Sequence, residues 1–141
     1  MSRLAVVTKF LTTLELKMFR TTPDNRSALF DFVVEVAGIS KSLTKLTLCD
    51  TESTAEQGDK LMTALADQSE FTTLQTLEIS GESAWFKDNR MECITPLLAL
   101  ITRSSDLQKL IMQRNRLTDD QKATIRGAVT NDQCLIDFKY N

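Results

Sequence analysis

The chain has 141 residues, 42% of them hydrophobic and 26% charged, a balance that fits one globular domain, and its four Gly and two Pro argue against a turn-rich all-β sandwich and a disordered linker. Its 17 basic and 19 acidic residues nearly cancel, so no basic stripe marks a nucleic-acid partner, and no apolar run reaches the roughly 18 residues of a membrane span. With no histidine and only isolated glycines, Ser-His-Asp and Cys-His catalysis, imidazole metal ligation and Gly-rich phosphate loops are excluded as well.

In chain order, residues 3–10 read as a half-helix, followed by the strand motif Leu11-x-x-Leu14-x-Leu16. Thr22-Pro23-Asp24 then opens a helix whose apolar face is Ala28, Leu29, Phe32, Val33, Val36 and Ala37. The strand motif returns as Leu43-x-x-Leu46-x-Leu48, and Ser53-Thr54-x-x-Gln57 caps a second helix with Leu61, Met62, Ala64, Leu65 and Ala66 inward. Leu74-x-x-Leu77-x-Ile79 precedes the loop of residues 81–90 and a third helix bearing Ile94, Leu97, Leu98, Leu100 and Ile101. Leu107-x-x-Leu110-x-Met112 leads into Thr118-Asp119-Asp120-Gln121, where the acids suit a helix dipole, and a fourth helix bearing Ala123, Ile125, Ala128 and Val129. Leu135-x-x-Phe138-x-Tyr140 is the fifth motif.

Successive motifs start 32, 31, 33 and 28 residues apart, and all fifteen demanded positions are apolar, far beyond chance at 42%. A strand, turn, helix and return in about 31 residues is one βα unit that cannot bury both faces alone, so neighbours must stack. Parallel strands would then line a concave face and helices a convex one. The fourth motif alone continues to Asn115 and Leu117, and the asparagine side chain can bond backbone where the chain turns away. Phe19, Thr51 and Glu82 hold that place elsewhere, so a continuous asparagine ladder is not expected.

These motifs resemble the leucine-rich-repeat superfamily in its ribonuclease-inhibitor-like branch, over essentially the whole chain. The resemblance implies an α/β right-handed solenoid of about five repeats forming a single domain over residues 1–141. Such folds usually serve as non-catalytic interaction or scaffold modules. A narrower similarity, to the C-terminal repeat domain of tropomodulins, lies in Ser42-Leu43-Thr44-Lys45-Leu46-Thr47-Leu48 and in Cys134-Leu135-Ile136-Asp137-Phe138-Lys139-Tyr140. It implies, as an alternative, a regulator that caps an actin filament or inhibits an enzyme. The tropomodulin helix after the last strand and the tropomyosin-binding region have no counterpart here.

The residues between the leucines point outward: Thr13, Glu15, Lys17, Lys45, Thr47, Cys49, Thr76, Glu78, Ser80, Lys109, Ile111, Gln113, Asp137, Lys139 and Asn141. Of these, Glu15, Lys17, Lys45, Thr47, Glu78, Lys109, Gln113, Asp137 and Lys139 are candidate partner contacts. The second candidate is Trp85 with Phe86, rimmed by Lys87 and Arg90, which either anchor a partner or fold back over the helix ends. The third is the strand edge from Leu135 to Tyr140, which lacks a capping helix and marks the chain as an assembly subunit or a fragment. One or more proteins are the expected partners, with no nucleic acid, no membrane insertion and no cofactor. Three cysteines without disulfide or metal spacing point to an intracellular, cytoplasmic protein.

Overall fold

The structure is a computed structural model and describes residues 12–17, 28, 31–33, 35, 42–51, 54–66, 73–90 and 93–141. The half-helix of residues 3–10, Leu11, Phe19, the Thr22-Pro23-Asp24 start and Leu29, Val36 and Ala37 lie outside those residues. Five strands form one all-parallel sheet: β1 (Thr13–Lys17), β2 (Lys45–Cys49), β3 (Thr76–Ser80), β4 (Lys109–Ile111) and β5 (Leu135–Asp137). Their spatial order is their chain order, each strand pairing with the next. Between them come α1 (Ala55–Ala66), the single turn α2 (Ser83–Phe86) continued by a 3-10 turn (Lys87–Asn89), α3 (Ile94–Arg103) and α4 (Asp119–Ala128).

The first four strands take the alignment that the leucine spacing predicts. Leu14 pairs with Leu46, Leu46 with Leu77 and Leu77 with Leu110. A single cluster joins Leu46, Leu48, Leu77, Ile79, Leu110 and Met112 from the sheet to Leu61, Leu65, Leu97, Leu100, Ile101 and Ile125 from the helices. The core therefore lies between the leucine side of the sheet and α1, α3 and α4, which contact one another in turn. Each fully buried leucine contributes about 2 kcal/mol, so this seam dominates the stability. Both α1 and α4 begin in reciprocal Thr-x-x-Gln capping boxes. Thr54 N–H donates to Gln57 Oε1 (2.9 Å) and Gln57 N–H to Thr54 Oγ1 (3.2 Å); Thr118 and Gln121 repeat the exchange at 2.9 and 3.1 Å. In the expected first helix, Val33 is buried but Ala28 and Phe32 are exposed, so the apolar face drawn there is narrower than predicted.

The fifth strand departs from the expected register. Leu110 pairs with Ile136 and not with Phe138, a two-residue shift that shortens the last interval to 26 residues. Leu135 and Tyr140 are thereby 68% and 78% exposed and not core residues. The reason lies in a buried row of polar side chains where each strand turns away. Asn115 Oδ1 accepts from Glu82 N–H (2.9 Å), and its Nδ2 donates to the Ile79 carbonyl (2.6 Å). Asn141 repeats this one unit later, accepting from Asn115 N–H (3.0 Å) and Leu117 N–H (3.2 Å) while donating to the Met112 carbonyl (2.7 Å). Glu82 takes the same place one unit earlier, its Oε1 accepting from Thr51 N–H (2.8 Å) and Thr51 Oγ1 (2.6 Å). A continuous polar ladder, Thr51–Glu82–Asn115–Asn141, thus runs along the strand ends; it is not the asparagine ladder that the sequence already argued against, because Thr51 and Glu82 hold two of its places. Asn141 is one of its rungs and not an outward contact residue.

Candidate functional site

The side of the sheet facing away from the core is built from two rows read directly off the register. One is Thr13, Lys45, Thr76, Lys109 and Leu135; the other is Glu15, Thr47, Glu78, Ile111 and Asp137. Lys17, Cys49 and Ser80 begin a third, which alternation continues through Gln113 and Lys139. All nine sheet candidates except Thr47 remain accessible on this side. Thr47 stands between Glu15 and Glu78 and is only 1% exposed. It cannot serve as a contact. Ser80, equally buried, accepts from Gln113 N–H (3.1 Å).

The two ends of this surface differ in what they have left to offer. Toward β1, Lys45 Nζ lies 2.8 Å from Glu15 Oε1. That bond lowers the Glu15 carboxyl and raises the Lys45 ammonium from their ordinary values. Toward β5, Ile111 is half-buried, and Leu135 stands out diagonally across from it. Asp137 beside them is already engaged. It accepts from Lys139 N–H at Oδ1 (3.0 Å) and from Gln113 Nε2 at Oδ2 (2.7 Å). Chiefly the backbone bond, and then the amide, hold its carboxyl below the usual range. Lys109 and Lys139 flank the apolar pair and carry no ion pair among the described residues.

At the strand ends a set of left-handed residues brackets the surface: Asp50 (φ 53°), Gly81 (φ 70°), Arg114 (φ 55°) and Tyr140 (φ 63°), one after each of β2, β3, β4 and β5. Arg114 reaches across the end of β3 to Asp50, its Nη1 2.9 Å from Oδ1 and its Nη2 3.2 Å from Oδ2. This crossing needs a glycine beneath it, since a Cβ on Gly81 would run into Asp50 Oδ1. The guanidinium holds the Asp50 carboxyl below its ordinary value. Cys49 Sγ donates to Asp50 Oδ2 (3.4 Å) and receives Arg114 Nη2 at 3.5 Å. Burial first, then the Asp50 carboxylate, push this thiol up despite the arginine, so Cys49 stays protonated and a poor nucleophile.

Trp85 and Phe86 are 0% and 2% exposed, so neither can anchor a partner. Their loop forms α2, which turns both rings inward. The indole lies over Gly58 of α1, where an added Cβ would come within 2.5 Å of the ring. Sequence periodicity could not place Trp85, because the gap it fills is opened by a glycine 27 residues away. Lys87 and Arg90, the rim of that candidate, are exposed. The strand edge from Leu135 to Tyr140 is a sequence candidate, but the motif spacing turns both side chains inward, whereas both are exposed. Counting eight residues back from Asn141 to Gln133, as from Asn115 to Leu107, would have found them.

Among the described residues, no group of three His, Cys, Asp or Glu is placed to hold a metal ion, and no helix is long and apolar enough to cross a membrane. No protein-family model matches the chain, and neither a curated protein nor a solved structure shows significant similarity to it.

Proposed function

We propose that the chain is a right-handed leucine-rich-repeat solenoid of the ribonuclease-inhibitor-like kind, working as a non-catalytic protein-interaction module inside the cell. The strictly sequential parallel strands, their intervals of about 31 residues and the polar ladder support the repeat reading. Sequential order also leaves no switch point where strand order reverses, the crevice in which open α/β sheets hold small molecules. Three cysteines without the spacing of a disulfide framework support a reducing compartment.

The contact surface is the β4–β5 end of the outward sheet face. Leu135 carries this reading: an exposed leucine beside Ile111, with Tyr140 at the rim and Lys109, Gln113, Asp137 and Lys139 around it. Interfaces concentrate their energy in such an apolar centre with a polar border, whereas the β1–β2 end has bound its charges to itself.

The test is affinity capture from the native source, read by mass spectrometry, with wild type, Leu135→Asp and Ala123→Asp on the exposed side of α4. A specific partner should fall about tenfold or more with Leu135→Asp and be unchanged with Ala123→Asp. Equal capture by all three proteins would reject the sheet face as the contact.

A further inference from the structure

A separate cleft of about 350 Å³ opens at the strand ends, away from Leu135, lined by Ser83, Ala84, Lys87, Asp88 and Arg116. Its walls belong to two successive repeats: α2 with the 3-10 turn on one side, and the connection from β4 to α4 on the other. Those walls are locked together from behind. Buried Gln121 of α4 donates its Nε2 to the Phe86 carbonyl (3.2 Å), and Phe86 itself sits in the core.

The placement of Arg116 is set by the polar ladder. Asn141 Oδ1 accepts from the residues on either side of it, Asn115 and Leu117, and the chain bulges so that Arg116 lies at φ 56° and is exposed. Asp88 is likewise left-handed, at φ 59°. A left-handed non-glycine residue costs roughly 1 kcal/mol, so the buried bonds hold Arg116 in a position the backbone alone would not choose. Neither Lys87 nor Arg116 has an ion pair among the described residues, and Asp88, in the same cleft, neutralises neither within salt-bridge distance.

We propose that this cleft binds an acidic side chain of a peptide segment. Arg116 offers a planar fork matched to a carboxylate, Lys87 a second positive charge, and Ser83 a hydroxyl donor. Asp88 sets the ligand class. Two cations and one carboxylate leave a single net positive charge, which suits a monoanionic carboxylate better than a dianionic phosphate. Asp88 is left to accept a backbone N–H of the bound segment. The site shares no residue with the β4–β5 surface and stands or falls independently of it.

The experiment is a ¹H–¹⁵N titration of the full chain with acetyl-hexaglutamate amide, with acetyl-hexaglutamine amide and inorganic phosphate as comparisons. The glutamate peptide should give saturable shifts at Ser83, Lys87 and Arg116. Phosphate and the glutamine peptide should not. Arg116→Asn keeps the left-handed backbone and Lys87→Gln lies on an exposed turn, so both variants should fold; each should weaken binding about tenfold, the loss of one charge-assisted bond. No saturable shift at these residues, equal response to glutamine, tighter binding of phosphate, or undiminished binding by both variants would each overturn the proposal.

Discussion

Two rows of residues lie side by side where the strands of this protein turn away, and they do opposite things with the same geometry. Thr51, Glu82, Asn115 and Asn141 form the inner row, and the side chains of Glu82, Asn115 and Asn141 each accept from the backbone N–H of the rung before. Their immediate neighbours Asp50, Gly81, Arg114 and Tyr140 are left-handed, and the one bridge among them runs from Asp50 after β2 to Arg114 after β4. Chemically the outer bridge is the stronger pair, a guanidinium on a carboxylate. Burial reverses the order of their contributions. An inner amide that is lost leaves donors and acceptors with no water to replace it, whereas the outer charges return to solvent at little cost.

That contrast can be broken at three points. Asn115→Ala strips bonds from Glu82 N–H and the Ile79 carbonyl, both deep in the structure. It should destabilise the fold by about 2–4 kcal/mol in urea unfolding, and a loss no larger than that of an outer-row variant would show that the rung carries nothing special. Gly81→Ala acts on the outer row but through the backbone, combining a positive φ with a methyl group driven into Asp50. Thermal unfolding should report a loss of about 1–2 kcal/mol.

Arg114→Gln should cost least, about 0.5 kcal/mol or less at neutral pH, since its side chain is 47% exposed and that of Asp50 35%. The effect has a definite pH signature. Arg114 depresses the folded-state pKa of Asp50, so its stabilisation is present above the ordinary carboxylate value and is lost as pH falls through the depressed one. Wild type and variant should therefore converge in acid and separate toward neutrality. A gap that persists in acid would assign the effect to packing and not to charge.

Much of the framework could be read from residue spacing. The motif leucines align β1 through β4 without error, because period-two alternation and a 31- to 33-residue return leave one consistent register. The Thr-x-x-Gln pairs mark both capped helices. The polar ladder was hidden because its rungs differ chemically. A carboxylate at Glu82 can only accept, so its partner, Thr51, brings both an N–H and a hydroxyl to donate; no search for asparagine would find that pair. The surface was less legible still. Whether Thr47 or Trp85 meets solvent depends on residues that only folding brings alongside, Glu15 and Glu78 for one and Gly58 for the other.

The last strand carries a consequence of its own. A two-residue slide of β5 separates two alignments: one sets Leu135 level with buried Leu107 and Tyr140 level with buried Met112, and the observed one sets Leu135 beside Lys109 and leaves both exposed. Hydrophobicity would choose the first. The side chain of Asn141, bonded to three backbone groups just after β4, holds the second. A single amide thereby acts as the latch of a sliding bolt, and whatever surface the protein shows at that end exists only while the latch is closed.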